Sequence, residues 1–273
     1  MENYDLAIIG GGINGVAIAR DAALRGMSVI LLEKGDFGNG ASTKTSKLIH
    51  GGLRYLAYLE YKLVRESLRE RSVLLKKAPR LVKPLPFVIP VYENDPKALW
   101  QIKLGLYVYD FLNKSPELPK HVPLSSADIL KLFPNLKQDG LKGGCLFFDA
   151  QMKDNRLLME NLASAEELGV NCLNYAKVTG LVKENNALTG IRFINPETHR
   201  EGIIRAKVIV NSTGAWSNQI LDQDNPQDFY RAEPTKGVHL IIDQISACHA
   251  LLLRAPQDGR IFFLMPWEGY SLL

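Results

Sequence analysis

The sequence has little of what marks secreted, metal-binding or membrane-spanning proteins. It contains three cysteines, Cys145, Cys172 and Cys248, which are far apart and form no C-x-x-C pair. We therefore expect reduced, mostly buried thiols, neither a disulfide framework nor a metal site, and a cytoplasmic location. No apolar run approaches the ~20 residues that a membrane-spanning helix needs. A strand-like segment begins almost at Met1, so we expect no signal peptide.

Long blocks of like charge are also absent. The net charge is +4 and the isoelectric point is about 8.8, with basic residues scattered among acidic ones. This pattern does not imply a nucleic-acid partner, whereas attraction to an anionic membrane surface stays open. The 273 residues suffice for one large or two modest domains with a buried core.

What the sequence does contain is a glycine-rich turn between two apolar runs. Leu6 to Ile9 is fit for a buried strand, and after the turn a helix-like segment ends near Gly26. A second apolar run, Val29 to Leu32, follows and stops at the acidic Glu33. This order predicts a strand, a turn, a helix and a parallel strand.

The turn has the pattern G-x-G-x-x-G, formed by Gly10, Gly12 and Gly15. One glycine allows a tight turn, one lets a pyrophosphate approach the backbone, and one lets the helix pack closely on the strand. The start of the helix offers free N–H groups to phosphate, and Glu33 is placed to accept from a ribose hydroxyl. The sequence therefore predicts a dinucleotide site, against the alternative of a structural glycine turn.

A hydroxyl-rich loop and a second glycine pair follow. The loop contains Ser42, Thr43 and Ser46, and it either holds phosphate or ribose or is a solvated connection. The next segment reads SKLIHGGLRYL. Gly51 and Gly52 have no side chains, so a flat ring system could lie against their backbone. His50 could act as a base, and the planar guanidinium of Arg54 could bind an anion. The alternative is a core histidine and a surface arginine.

These segments closely resemble the FAD-dependent glycerol-3-phosphate dehydrogenases and the related glycerophosphate oxidases. SKLIHGGLRYL is the most specific motif, since many other flavoproteins share the first glycine pattern. The likeness runs through the whole chain in the family's order, and its motifs are IGGGINGVAIARDAALRG, SKLIHGGLRYL, FDAQ at 148–151, NSTG at 211–214 with Trp216, KGVH at 236–239 and FLMPW at 263–267.

The resemblance implies FAD as the cofactor. The residues that it places at FAD are Gly10, Gly12, Asn14, Gly15, Glu33, Ser42, Thr43, Ser46, Lys47, Leu48, Gly51, Gly52, Val178, Ser212 and Gly214. For Val178 the implied contact is through the backbone, on the adenine side.

The implied reaction is oxidation of sn-glycerol 3-phosphate to dihydroxyacetone phosphate, with electrons passed to a membrane quinone or, in the oxidases, to oxygen. His50 or His239 would be the base or a hydrogen-bond donor, because an imidazole titrates near neutral pH. Arg54, helped by Tyr55, would hold the phosphate. The residues do not decide between the two histidines or between the two acceptors.

The fold class that follows is α/β: a Rossmann-like FAD-binding domain of the glutathione-reductase/D-amino-acid-oxidase type with an inserted α+β substrate domain. We expect residues 1–80 and 150–224 in the FAD domain, and 81–149 and 225–273 in the substrate domain. The segment from Asp95 to Leu112 is expected to be an amphipathic helix. Its aromatic residues pack in the core or, as the alternative, contact the cytoplasmic face of a membrane peripherally.

The resemblance also implies further segments after the PW-containing strand, including a Gly-Thr-Thr-Asp segment and a late Gly-Gly-Lys loop. The printed chain ends in PWEGYSLL, so we expect a C-terminally incomplete site, weak FAD retention and little turnover for these residues alone. Two alternatives remain: a catalytically inactive fragment, and an amine or amino-acid oxidase of the same fold, whose substrate carboxylate Arg54 could also bind.

Overall fold

The structure is a computed structural model that describes residues 3–113, 117–185, 187–224 and 231–273. No helix within these ranges is both long and apolar enough to cross a membrane. In chain order the elements are β1 (Asn3–Ile9), α1 (Ile13–Leu24), β2 (Val29–Leu32), β3 (Leu48–Ile49), α2 (Tyr61–Lys77), β4 (Val82–Tyr92), α3 (Leu99–Leu112), β5 (Val122–Leu124), α4 (Ser126–Leu132), β6 (Leu141–Met152), α5 (Asp154–Glu167), β7 (Asn171–Leu173), β8 (Lys177–Glu184), β9 (Ala187–Ile194), β10 (Glu201–Asn211), α6 (Ser217–Asp224), β11 (Ile241–Asp243), β12 (Ala250–Arg254), β13 (Ile261–Trp267) and β14 (Tyr270–Leu272).

The chain divides into two compact units, each made of two separate stretches. Unit 1 comprises Met1–Thr45 and Asp154–Lys236, and unit 2 comprises Ser46–Lys153 and Gly237–Leu273. The first crossing between the units lies after Thr45, whereas the sequence prediction places it after residue 80.

Long-range strand pairing explains that difference. Strand β3 pairs with the end of β6, where Leu48 lies opposite Gln151. Helix α2 then packs against β4 and α3 of the same unit through buried residues such as Val64 and Leu68. Residues 46–80 therefore belong to unit 2, and so do residues 150–153, because β6 continues to Met152.

Unit 1 is built on a six-stranded sheet in the order β7-β2-β1-β10-β9-β8. The first four strands are parallel, and β9 and β8 continue the sheet in antiparallel fashion. Strands β1 and β2 carry apolar side chains on both faces, as expected for parallel strands covered on both sides. One face packs against α1 and α5, and the other against residues of β8, β9 and β10.

Helix α1 has the start and the end that its sequence predicts. Gly12 precedes it with extended backbone angles. At the other end the N–H of Gly26 donates to Ala23 and that of Met27 donates to Ala22, with Gly26 at φ +82°. This is a Schellman cap, in which glycine adopts the left-handed conformation at little cost.

Unit 2 contains a sheet in the order β11-β14-β13-β12-β4-β6-β3, with β5 paired to β6. The long strands β4 and β6 are neighbours in this order and pair in antiparallel fashion along almost their whole length. Phe87 and Ile89 of β4 pack toward α2 and α3, whereas Val88 packs toward α4. The alternation of side chains along β4 thus joins two apolar layers.

The three cysteines are free thiols, but only one is buried. Cys145 lies in the core of unit 2, Cys172 is half-buried and Cys248 is exposed. Burial raises the pKa of the Cys172 thiol to about 12, so this thiol stays protonated at neutral pH. The expectation of mostly buried cysteines is therefore wrong for Cys248.

Candidate functional site

The carboxyl ends of three parallel strands bring three predicted cofactor residues to one edge of the unit 1 sheet. Gly10 follows β1, Glu33 follows β2 and Ser212 follows β10. The N–H of Gly10 donates to Leu32 at 2.8 Å, and the N–H of Ser212 donates to Ile9 at 2.8 Å. Ligands bind at such an edge in open α/β sheets.

The glycine turn at this edge has no room for side chains. Gly10 has φ +108°, and a Cβ on it would lie 2.5 Å from the carbonyl oxygen of Ser212. A Cβ on Gly15 would lie 1.9 Å from the carbonyl oxygen of Gly10. The turn is therefore tight and helix α1 lies directly against it, the geometry that the G-x-G-x-x-G pattern predicts.

Free donors lie at the start of α1. Within the described residues, the N–H groups of Gly12 and Asn14 donate to no protein acceptor. The neighbouring N–H of Ile13 donates to the hydroxyl of Ser42 at 2.9 Å. Because the N-terminus of a helix carries partial positive charge, these free N–H groups suit an anionic group such as a pyrophosphate.

Glu33 is held beside the same turn. Its Oε2 accepts from the N–H of Gly11 at 2.7 Å, and its Oε1 accepts from the N–H of Gly35 at 3.0 Å. The side chain is half-buried, and each carboxylate oxygen keeps a further lone pair for a hydroxyl group. A tight glycine turn, free N–H donors and an oriented carboxylate together fit the adenosine diphosphate part of a dinucleotide.

The hydroxyl-rich loop is anchored to unit 1. The hydroxyl of Thr43 donates to the carbonyl of Gly38 at 2.9 Å. The ammonium of Lys34 lies 3.6 Å from the ring centre of Trp216, and Gly40 lies against the same ring. Because the loop is attached at several points, Ser42 has a defined position at the start of α1.

Two other predicted cofactor residues of unit 1 differ in burial. Val178 is buried with Ile9 and Leu32 behind the strand ends, so its side chain has a packing role. Gly214 is exposed and has φ +58° at the start of a 3-10 helix, Gly214–Trp216. Neither position contradicts a backbone contact with a cofactor.

The remaining predicted residues belong to unit 2. Ser46 and Lys47 precede β3, Leu48 is its first residue, and His50, Gly51 and Gly52 follow it. Gly51 and Gly52 are buried, whereas His50 is exposed, so the alternative of a core imidazole is wrong.

Arg54 and Tyr55 lie on the 3-10 helix Leu53–Tyr58 and are both exposed. The ring of Tyr55 lies against Gly52, whose φ is +74°. The guanidinium of Arg54 donates to no protein acceptor in the described part of the chain. Its planar set of N–H donors is therefore available to a ligand.

His239 also belongs to unit 2. It is exposed and lies in a stretch without regular secondary structure just before β11. Its side chain has no hydrogen bond or ion pair among the described residues. The His50 side chain likewise has no hydrogen bond or ion pair in the described part of the chain.

A buried polar cluster in unit 2 was missed by the sequence analysis. It consists of Arg71 of α2, Tyr109 of α3 and Asp149 of β6, and all three side chains are almost fully buried. Asp149 lies in a motif of the family resemblance but was given no role. The signal that was available is Arg71 itself, because it occupies a core position of α2 between Leu68 and Leu75.

Both acids of the cluster, Asp149 and Tyr109, have raised pKa values. Burial raises the pKa of Asp149, against the opposing effects of Arg71 and the hydrogen bonds from Tyr109 and Gly51. Burial, together with the adjacent Asp149, raises the pKa of Tyr109 well above its ordinary value. Tyr109 is therefore a neutral donor at any physiological pH.

Comparison with known proteins identifies the family. Residues 5–273 match the family model described as FAD dependent oxidoreductase. The chain belongs to the FAD-dependent oxidoreductases. The predicted fold class and the predicted FAD cofactor are thereby confirmed.

Relatives of this FAD-dependent oxidoreductase have more specific names. The chain is 42% identical to glycerol-3-phosphate dehydrogenase of Synechocystis sp. over 99% of its length and 51% of that protein. It is 35% identical to alpha-glycerophosphate oxidase of Streptococcus pyogenes over 98% of its length and 45% of that protein. The chain thus spans about half the length of the curated relatives that it matches.

A solved structure agrees with these relatives. The glycerol-3-phosphate dehydrogenase of Bacillus halodurans, determined in complex with FAD, superposes with a TM-score of 0.76 at 26% identity. The superposition covers 99% of this chain and 47% of that one.

Proposed function

We propose that this protein oxidises the secondary hydroxyl of sn-glycerol 3-phosphate to the ketone of dihydroxyacetone phosphate. The observation that carries the proposal is Arg54, an exposed guanidinium four residues after the exposed imidazole of His50. Neither side chain has a hydrogen-bond partner among the residues that the structure describes. A planar fork of donors suits a phosphate dianion, and the relatives named above support that substrate.

In this proposal, different predicted residues bind different parts of FAD. The turn and the start of α1 would hold the pyrophosphate, and Glu33 would accept from the ribose. FAD, when bound, accepts a hydride from the carbon that carries the hydroxyl. The proposed FAD contacts are Gly10, Gly12, Asn14, Gly15, Glu33, Ser42, Thr43, Ser46, Lys47, Leu48, Gly51, Gly52, Val178, Ser212 and Gly214.

The protein's own part in the reaction is proton transfer and positioning. A ring nitrogen of His50 or His239 takes the hydroxyl proton as the carbonyl forms, and the other imidazole donates a hydrogen bond to the developing alkoxide. Arg54 binds the phosphate and Tyr55 adds its hydroxyl. Such positioning can supply roughly 7 to 11 kcal/mol of a barrier.

The alternative within the same family is oxidation of an amine or amino acid. Arg54 could bind a carboxylate as it would a phosphate, since both are planar or tetrahedral oxyanions that accept two parallel hydrogen bonds. The two readings differ in the group that the substrate must carry, so they separate in a substrate comparison.

The test is anaerobic bleaching of the flavin absorption bands in the purified full-length gene product. The substrates are sn-glycerol 3-phosphate, glycerol, L-proline and glycine at equal concentration. We expect bleaching by glycerol 3-phosphate alone, since glycerol lacks the phosphate and the amino acids lack the secondary hydroxyl. Bleaching by an amino acid would establish the oxidase alternative, and bound flavin that no substrate bleaches would favour an inactive protein.

The electron acceptor is part of the same proposal: we infer a quinone, with oxygen as the alternative. After anaerobic reduction, a short-chain ubiquinone analogue or air-saturated buffer is mixed with the enzyme, and the return of the flavin bands is timed. Reoxidation at least tenfold faster by the quinone is expected. Faster reoxidation by oxygen, with hydrogen peroxide as product, would identify an oxidase.

An apolar face of α3 supports peripheral contact with the membrane that holds such a quinone. Trp100, Leu104, Tyr107 and Phe111 recur at helical spacing, and Phe111 is 83% exposed. Their exposure contradicts the expectation of core packing, which holds for Tyr109 alone among the aromatic residues of this segment. Aromatic side chains on one face, with Lys97 and Lys103 nearby, suit the interface of an anionic bilayer.

Flotation with lipid vesicles tests this contact. We expect the protein to float with vesicles that contain phosphatidylglycerol and to be released by Trp100→Ser with Phe111→Ser. Leu24→Ser is the control, because Leu24 is also an exposed apolar residue but lies on α1. If the α3 double variant floats as well as the unchanged protein, α3 is not the contact.

A further inference from the structure

We propose that Arg71, Tyr109 and Asp149 are positioning residues that fix the peptide between His50 and Gly51, and through it the orientation of the His50 imidazole. The proposal rests on the proposed function, in which His50 takes part in proton transfer. None of the three side chains was predicted from the sequence to take part in the reaction.

The three side chains meet at one backbone N–H. The N–H of Gly51 donates to the hydroxyl of Tyr109 at 2.9 Å and to Asp149 Oδ1 at 3.2 Å. The hydroxyl of Tyr109 in turn donates to Asp149 Oδ1 at 2.8 Å. Arg71 Nη1 donates to the same carboxylate oxygen, to the Tyr109 hydroxyl and to the carbonyl of Phe148. Helices α2 and α3 and strand β6 therefore converge on Gly51, the second residue after β3.

Stability alone is a weak reason for such a cluster. A buried ion pair rarely stabilises a protein more than apolar residues of the same volume, because both charges lose their hydration. In addition, Nε and Nη2 of Arg71 are buried without a hydrogen-bond partner in the described part of the chain. The surroundings are otherwise apolar, with Leu48, Leu68 and Phe147 in the same core. Because burying these charged groups costs free energy, we infer that the cluster is kept for another reason, which is to hold the neighbouring segment at Gly51 in a fixed conformation.

The peptide bond transmits that geometry to His50. The described chain has no cis peptide bond, so the N–H of Gly51 and the carbonyl of His50 point in opposite directions. With the N–H directed into the cluster, the carbonyl of His50 is directed away from it. The His50 side chain makes no hydrogen bond of its own among the described residues. The backbone therefore fixes the direction of its Cα–Cβ bond, and through the backbone conformation it limits the rotamers open to the imidazole.

Close packing makes the attachment rigid. A Cβ on Gly51 would lie 2.2 Å from Leu68 and 2.4 Å from the Tyr109 hydroxyl, so the backbone lies directly on the cluster. Gly52 follows with φ +74°, and its carbonyl accepts from the N–H of Tyr55 at 2.8 Å. The hydrogen bonds that hold Gly51 thus continue, through Gly52, to the 3-10 helix that carries Arg54.

The variants Tyr109→Phe and Asp149→Asn test the proposal in the FAD-loaded full-length protein. Tyr109→Phe removes only the hydroxyl, and Asp149→Asn keeps the shape of the side chain, so the second variant serves if the first fails to fold. Phe147→Leu is the matched control. Its ring packs against Tyr109 with centroids 6.2 Å apart, and it disturbs the same core without touching the N–H of Gly51.

Two readouts are needed. The first is hydrogen exchange of the peptide that contains Gly51, which does not depend on any substrate. The second is the rate of anaerobic flavin reduction by glycerol 3-phosphate, expressed per bound flavin. We expect both cluster variants to raise exchange at least tenfold and to lower the reduction rate ten- to a hundredfold, with KM changed less than threefold. Phe147→Leu should lower the melting temperature without either effect.

The outcomes separate the two proposals. If the unchanged protein is not reduced by glycerol 3-phosphate, the proposed function fails, and the exchange data still test the anchor. If exchange at Gly51 is unchanged in the variants, or if they reduce flavin at the full rate, the positioning role is overturned. The same conclusion follows if Phe147→Leu slows reduction as much as they do, because the effect would then be general loss of packing.

Discussion

Gly10 and Ser212 lie backbone against backbone, so that a Cβ on Gly10 would come within 2.5 Å of the Ser212 carbonyl oxygen. The two residues follow neighbouring parallel strands, β1 and β10, in unit 1. The strand from the second half of the chain thus forms one wall of the turn encoded near the N-terminus. The cofactor turn therefore exists only when both stretches of unit 1 have folded together.

A side chain at position 10 should therefore prevent cofactor binding. Gly10→Ala adds an overlap with backbone atoms to the strain of a positive φ, and backbone cannot move aside as a flexible side chain would. We expect a protein that is purified without FAD and has a denaturation midpoint well below that of the unchanged protein. Flavin absorbance and urea unfolding provide the two measurements.

Gly26→Ala is the control for that variant. Gly26 also has a positive φ, +82°, but nothing lies within 4 Å of a Cβ there. It should lose only about 1 to 2 kcal/mol of unfolding free energy and retain FAD. If the two variants lose the same unfolding free energy and the same amount of FAD, the strain of a positive φ alone explains the need for glycine at position 10, without the contact to Ser212.

Removing the charge of Glu33 should weaken FAD binding. Glu33→Gln leaves one carbonyl oxygen where two carboxylate oxygens accept from Gly11 and Gly35, and it offers a ribose hydroxyl a weaker acceptor. We expect the Kd for FAD, measured by quenching of flavin fluorescence, to rise about tenfold. Asp36→Asn, an exposed carboxylate in the same loop, should leave it unchanged. An unaltered Kd in Glu33→Gln would exclude Glu33 from the cofactor site.

Replacing Arg54 by lysine should show whether Arg54 binds the substrate phosphate or is only a surface charge. Arg54→Lys keeps the charge but loses paired donation, so kcat/KM for glycerol 3-phosphate should fall roughly 10- to 100-fold, mainly through KM. Arg80→Lys, at another exposed arginine of unit 2, is the matched control. If both variants keep the kinetics of the unchanged protein, Arg54 is only a surface charge.

Local patterns were sufficient to predict β1, α1 and β2, because apolar runs and glycines act within a few residues. They also predicted that Gly10 and Glu33 follow neighbouring parallel strands and so lie at one edge of the sheet. Ser212, at the same edge, was implied by the family resemblance and not by a local pattern. Helical spacing marks Arg71 as a core position of α2, but its partner Asp149 could not be predicted, because it lies 78 residues away.

Two other differences from the sequence prediction also arise from contacts between residues that are far apart in the sequence. The boundary at Thr45 depends on a two-residue strand that pairs with β6, a contact between distant parts of the chain. On α3, helical periodicity finds two apolar faces, and only the tertiary structure decides that Leu106 and Tyr109 are buried while Trp100 and Phe111 are exposed. Periodicity identifies a face but not what covers it.

The raised pKa of the buried Tyr109 phenol should make the unfolding free energy of the protein fall above pH 10. Its pKa is raised in the folded protein, so between pH 10 and that raised value the native state holds a proton that the unfolded state has lost. The unfolding free energy then falls as pH rises, by up to about 1.4 kcal/mol per pH unit for one group. Tyr109→Phe lacks this group, and it starts less stable at pH 8 because it leaves buried partners without a hydrogen bond. We therefore expect the stability gap between the two proteins, measured by urea unfolding, to narrow steadily from pH 10 to pH 11. A gap that stays constant across this range would show that Tyr109 ionises as readily in the folded state as in the unfolded one.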